Sequence, residues 1–83
     1  LNGHNTSSGE VYDSTALTAA HRFLPFGTQI EVTNIDNGKS IIVKVNDRGP
    51  FSNVYTLDLS SAAFAQIGQL SSGNMNVFYR ILN

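Results

Sequence analysis

The chain has 83 residues, with five Lys or Arg against six Asp or Glu and a net charge of −1, and it contains no cysteine. That length supports one small domain, which buries about 60% of its unfolded surface. The missing cysteines exclude a disulfide framework and a thiolate metal site, and the near-neutral charge without a basic run excludes a nucleic-acid or anionic-membrane footprint.

The first segment, Leu1 to Ser8, is polar and turn-rich with no periodicity, and it reads as a loop held on the body of the domain. Gly9-Glu10-Val11-Tyr12-Asp13 follows as a glycine turn leading into a very short extended piece. Ala16 to His21 is small and apolar, compatible with a short strand or a single helical turn. Leu24-Pro25-Phe26-Gly27 must break regular structure, because Pro25 restricts both itself and Leu24 while Gly27 can take positive φ. The clearest local signal comes next. Thr28 to Asn34 alternates polar and apolar, Asp36-Asn37-Gly38-Lys39 is a turn signal, and Ser40 to Val45 is β-branched. These segments predict a hairpin with Ile30 and Val32 facing inward and Ile41, Val43 and Val45 on the matching face. Asn37-Gly38 suits a tight turn with positive φ at both central residues.

The hairpin strand runs into Asn46-Asp47-Arg48-Gly49-Pro50. Gly-Pro punctuates strongly and proline removes a ladder donor, so the strand ends near Asn46 and sets Asp47 and Arg48 at a strand mouth. Tyr55 to Leu59 predicts a short strand. Asp58 or Ser60 can cap a helix through Ile67, with Ala63, Phe64 and Ile67 on one face and Gly68 past the end. Met75, Val77, Tyr79 and Ile81 share a face at period two in a terminal strand. Strands with one short helix and many turns point to a small barrel.

Groups able to move protons sit beside the breaks: Glu10, His21, Asp47 and Asp58. Each has a plain alternative. Glu10 and Asp13 read as solvated carboxylates, and Asp58 as a helix cap. His21, between Ala20 and Phe23-Leu24, reads as a half-buried histidine bonded to backbone. Asp47 can cap local amides, with Arg48 solvated or paired to it. His4 lies in a polar loop and receives no role. No histidine spacing supports zinc, and no glycine-rich loop opens a helix for phosphate, so neither a metal nor a cofactor is expected.

The phrases Thr6-Ser7-Ser8-Gly9-Glu10, Ala19-Ala20-His21, Leu24-Pro25-Phe26-Gly27-Thr28, Val45-Asn46-Asp47-Arg48-Gly49-Pro50-Phe51 and Leu57-Asp58-Leu59-Ser60 occur in this order. Together they resemble the rare lipoprotein A (RlpA) family. The resemblance implies a mainly β fold, a closed six-stranded double-psi β-barrel with one or two short helices, over residues 1–83 as one domain. It also implies that a first strand precedes Gly3 in the full protein, since the family carries one there. Members act in the bacterial envelope, in the periplasm, at the outer membrane or secreted. They are lytic transglycosylases that cleave the β-1,4 bond between N-acetylmuramic acid and N-acetylglucosamine and leave a 1,6-anhydro end.

Carried over by position, the family's functional Glu, His and Asp fall on Glu10, His21 and Asp47, and its groove contacts on Thr6 and Asp58. Arg48 is expected to turn away from Asp47, along the glycan groove. The resemblance implies Asp47 as the acid and then the base, with a pKa raised by burial or by Glu10 or Asp58, oriented by His21. The expected partner is a peptidoglycan glycan strand met by a monomer, with no membrane contact from this domain itself. Two other readings use the same groove: an expansin-like module that binds wall glycan without cutting it, and an interaction or inhibitor domain with a protein partner.

Overall fold

The computed structural model describes residues 2–83. Five strands form one sheet: β1 Thr18–Ala20, β2 Gln29–Asn34, β3 Ser40–Asp47, β4 Asp58–Leu59 and β5 Val77–Ile81, in the order β4-β1-β3-β2-β5. Among the described residues one α-helix, α1 Ser61–Ile67, and a 3-10 turn at Leu70–Ser72 lie between β4 and β5. The sheet is an open half-barrel with edges at β4 and β5, so the expected closed six-stranded barrel is corrected here. Among the described residues, those ahead of β1 contribute only an isolated bridge between Asn5 and Val11. Their polar, turn-rich sequence offers no alternating apolar face to hold a further strand against the core.

The β2–β3 hairpin forms as its alternation predicts, with Ile30 opposite Val43 and Val32 opposite Ile41. Ile30, Val32, Val43 and Val45 are fully buried and pack with Ala19, Leu24, Ala63 and Ile67 in one core. The hairpin turn differs from the expected one. Only Gly38 has positive φ, and the loop is longer, closing with Asn34 N donating to Lys39 O at 2.8 Å. A tertiary contact prevails over the local turn preference. The side-chain amides of Asn34 and Asn37 both donate to the Ile67 carbonyl, at 2.8 and 2.9 Å, and satisfy an acceptor left open at the end of α1.

Ser60, not Asp58, caps the helix. Its hydroxyl accepts from Ala63 N at 3.2 Å and Thr18 N at 3.3 Å and donates to Ala16 O at 2.6 Å. One buried hydroxyl thus uses its donor and both lone pairs to tie α1 to β1. Ser60→Ala is expected to cost about 1–3 kcal/mol, seen as a fall in melting temperature of about 4–8 °C per kcal/mol in a thermal scan. With the cap supplied by Ser60, the Asp58 carboxylate is released to the surface at the end of β4.

Candidate functional site: two aspartates across one alanine

The site is built by register. Ala20 of β1 is the partner of Asp47 on β3, in parallel, and of Asp58 on β4, antiparallel. Residues directly opposite one another across neighbouring strands point to the same face. Asp47 and Asp58 therefore stand on one face, two strand spacings or roughly 10 Å apart at Cα, with only a methyl group between them. On the way from Ala19 to Ala20, β3 advances from Val45 to Asp47, so Asn46 is an extra residue. Bulges of this kind re-aim side chains and are common beside functional sites. Asn46, Asp47 and Asp58 all line an open cleft of about 240 Å³, together with Ala20, His4 and Tyr12.

The two carboxyl groups have opposite proton affinities. Partial burial pushes Asp47 up, but hydrogen bonds outweigh it. Its Oδ1 accepts from Ser7 N at 2.9 Å and Arg48 N at 2.8 Å, and the Ser7 hydroxyl and the charge on His4 add to the effect. The result lies below the usual aspartate value, the reverse of the raised pKa expected of it. Asp58 moves the other way, raised first by burial and then by the negative charge of Asp47. Its side chain keeps an exposed surface, yet it stands in a concave floor where protein atoms displace much of its water.

The other residues named from the sequence surround this pair without entering the cleft. Glu10 lies behind Asn46, accepting from Asn46 Nδ2 at 3.0 Å and pairing with Lys44 Nζ at 2.7 Å. The Lys44 contact and then the Asn46 amide hold its carboxyl below the usual value. Thr6 is buried, and its hydroxyl closes the turn on Glu10 O at 2.9 Å. Arg48 donates from Nη1 to His21 O at 3.1 Å and Leu24 O at 2.8 Å, with its guanidinium 4.0 Å from the Phe26 ring centre. It clamps the 21–26 segment and makes no ion pair with Asp47.

His21 is 1% exposed and turned into the core. Its Nδ1 lies 3.2 Å from both Phe23 N and Leu24 N, so it accepts from two amides and carries no proton. Nε2 then holds the ring proton and donates it to Tyr79 Oη at 2.9 Å. Burial first, and the charges of Arg22 and Arg48 after it, push the imidazole below its ordinary pKa. The link to the cleft runs through backbone, His21 N donating to Asp47 O at 3.1 Å. Among the described residues no group of three or more His, Asp or Glu converges as a metal site.

Sequence reasoning left out His4, Asn46 and Lys44. His4 stacks on Tyr12, ring centres 5.2 Å apart and 23° from parallel, at the wall of the cleft. A signal for it exists in the spacing: His4 and Tyr12 each stand four residues from Ser8, so a chain reversal centred there places them opposite one another.

The fold is a mainly β half-barrel with two aspartates lining one open cleft, and the comparisons with known proteins are specific. The chain belongs to the lytic transglycolase family of RlpA-like double-psi β-barrel domains, whose model matches residues 2–79. It is 53% identical over 73 residues to a probable endolytic peptidoglycan transglycosylase RlpA of Treponema pallidum, covering 88% of this chain and 23% of that protein. It is 49% identical over 82 residues to the endolytic peptidoglycan transglycosylase RlpA of Vibrio cholerae, covering 99% of this chain and 31% of that protein. The chain thus spans under a third of the length of these relatives. Among solved structures, the Streptomyces papain inhibitor superposes with a TM-score of 0.78 at 26% identity, over 100% of this chain and 86% of that one.

Proposed function

We propose that this domain is a lytic transglycosylase acting on peptidoglycan glycan strands in the bacterial cell envelope, cutting the β-1,4 bond on the reducing side of N-acetylmuramic acid. The observation that carries the reading is the pair of carboxylates on either side of Ala20, one holding its proton more tightly than usual and the other less. Pairs whose proton affinities are pushed apart divide acid and base roles between them. Asp58 protonates the leaving glycosidic oxygen as the bond to the muramyl C1 breaks. The muramyl 6-hydroxyl oxygen bonds to C1 and releases its proton to Asp47, which closes the 1,6-anhydro ring. Ionised Asp47 also stabilises the oxocarbenium-like transition state. An internal nucleophile replaces a bound water, so proximity supplies part of the rate. Glu10 and His21 act through others: Glu10 by holding the bulged Asn46, His21 by fixing the Asp47 backbone. Thr6 and Arg48 shape the turn and the 21–26 segment beside the groove. The domain works as a monomer and as one unit.

Digestion of peptide-stripped peptidoglycan, followed by mass spectrometry of the soluble products, tests the reading. Muropeptide-free fragments with 1,6-anhydro ends are expected. Reducing ends replace the reaction by hydrolysis, and bound but uncut strands replace it by an expansin-like binding module. The pH dependence is a separate expectation. Activity falls as pH rises through the raised Asp58 pKa, because the acid loses its proton. It falls again at low pH, as Asp47 becomes protonated. Asp58→Asn should remove the basic limb and lower turnover by about 10²–10⁴-fold, whereas Asp58→Glu should keep the limb and shift it. An unaltered basic limb in Asp58→Asn assigns the proton to another group.

The full-length likeness to the Streptomyces papain inhibitor favours one second reading, a protease-binding domain on the same scaffold. The higher identity to the transglycosylases weighs against it. Inhibition of papain by this domain at equimolar concentration, with no glycan product, would decide for it.

A further inference from the structure

The segment from Gly3 to Tyr12 folds back on itself over the strand mouth. Gly3 N donates to Tyr12 O at 3.2 Å, Tyr12 N to His4 O at 2.7 Å and Thr6 N to Glu10 O at 2.7 Å, around the Asn5–Val11 bridge. This antiparallel register sets His4 opposite Tyr12 and Thr6 opposite Glu10 on one face. That face is locked onto β3 by Glu10 at Lys44 and Asn46, and the turn is held by Ser7 N on Asp47 and by Ser8 N on Asn46 O at 3.3 Å. The rings of His4 and Tyr12 are therefore carried on a braced support, not on a loose terminus. Both line the same cleft as Asp47 and Asp58, and His4 is exposed to solvent there.

We propose that the stacked His4–Tyr12 pair is a sugar-binding wall of this cleft, against which one pyranose ring of the glycan packs its C–H face. This rests on the carbohydrate reading given above and adds residues that fix where the strand lies relative to the two aspartates. Pyranoses present an apolar C–H face and a polar rim. A site that binds them pairs an aromatic surface with a few convergent polar groups. The cleft supplies both, lined by His4 and Tyr12 together with Asn46, Asp47 and Asp58. Tyr12 backs His4 at stacking distance, so the imidazole is held in one orientation before a ligand arrives, which lowers the ordering cost of binding.

The test is glycan binding by full-chain protein carrying Asp47→Asn, which separates binding from cleavage. The probe is an N-acetylglucosamine–N-acetylmuramic acid tetrasaccharide, followed by calorimetry and by the NMR resonances of the His4 ring. Adding His4→Ala or Tyr12→Ala should weaken binding by about 3- to 10-fold, the size of one aromatic contact, while His4→Phe restores it. The His4 resonances should move on titration and saturate with the same Kd. Equal affinity in parent and His4→Ala, or His4→Phe as weak as His4→Ala, overturns the wall while leaving the carbohydrate reading intact. A parent that binds no glycan at all removes the carbohydrate reading and the wall together.

Discussion

Asp47→Asn is expected to fold like the parent and to lose about 10²–10⁴-fold of its glycan-cleaving rate. The substitution is nearly isosteric, and the site shows why it should be structurally quiet. Asp47 Oδ1 accepts from the Ser7 and Arg48 amides, and an asparagine carbonyl oxygen can accept from both. The backbone link from His21 N to Asp47 O is untouched. What disappears is the negative charge and the ability to take a proton. Two consequences follow in the same variant. The carboxylate that accepts the 6-hydroxyl proton is gone, so turnover collapses at every pH. The charge that helps to raise Asp58 is also gone, so Asp58 loses its proton at a lower pH than in the parent. Release of glycan fragments with 1,6-anhydro ends from peptide-stripped peptidoglycan measures the first, and NMR titration of the Asp58 carboxyl measures the second. More than a tenth of the parent rate in Asp47→Asn would remove it from the chemistry.

Much of this arrangement is legible in the sequence, and the reason is local in each case. Ile30, Val32, Val43 and Val45 alternate with polar neighbours, and a period of two allows only one way to bury them. Asp47 is placed at a strand end because Gly49-Pro50 stops the strand just past it. Long-range facts were not legible. The small residues Thr18–Ala20 have no periodicity to separate a strand from a turn, so the alanine that joins the two aspartates had no visible role. Nor does a sequence state which way a ring turns. The resemblance sets His21 beside Asp47 in the cleft, whereas its imidazole lies in the core against Tyr79, 58 positions away. The six-stranded closure came from resemblance alone, and no periodic segment among the described residues supplied the sixth strand.

His21→Ala should cause a larger loss of stability than the other substitutions considered. The imidazole fills core volume and serves three polar groups at once: the Phe23 and Leu24 amides at Nδ1 and the Tyr79 hydroxyl at Nε2. Truncation leaves a cavity and three partners without their bonds, a cost of about 3–5 kcal/mol. An 83-residue domain has about 4–12 kcal/mol in total, so the variant should melt at least about 12 °C lower, or fail to fold.

The same bonds predict a pH dependence whose sign can be worked out. The folded ring accepts two amides at Nδ1, so protonating it breaks both, and its folded pKa lies below 6.5. The unfolded chain has no such constraint and binds a proton below that value. The unfolded state therefore holds more protons, and stability rises with pH across the window from the lowered pKa up to 6.5. Stability is full above this window and falls as pH drops through it, with a slope of at most about 1.4 kcal/mol per pH unit. The carboxylates with lowered pKa, Glu10, Asp13 and Asp47, titrate further toward acid and lose their contribution there. Denaturant unfolding at closely spaced pH values between 7 and 5 tests the histidine, with His21→Gln as the control that keeps a neutral acceptor and leaves the raised Asp58 in place. A flat stability profile in the parent, or the same slope in His21→Gln, would show that the buried ring is not the group responsible.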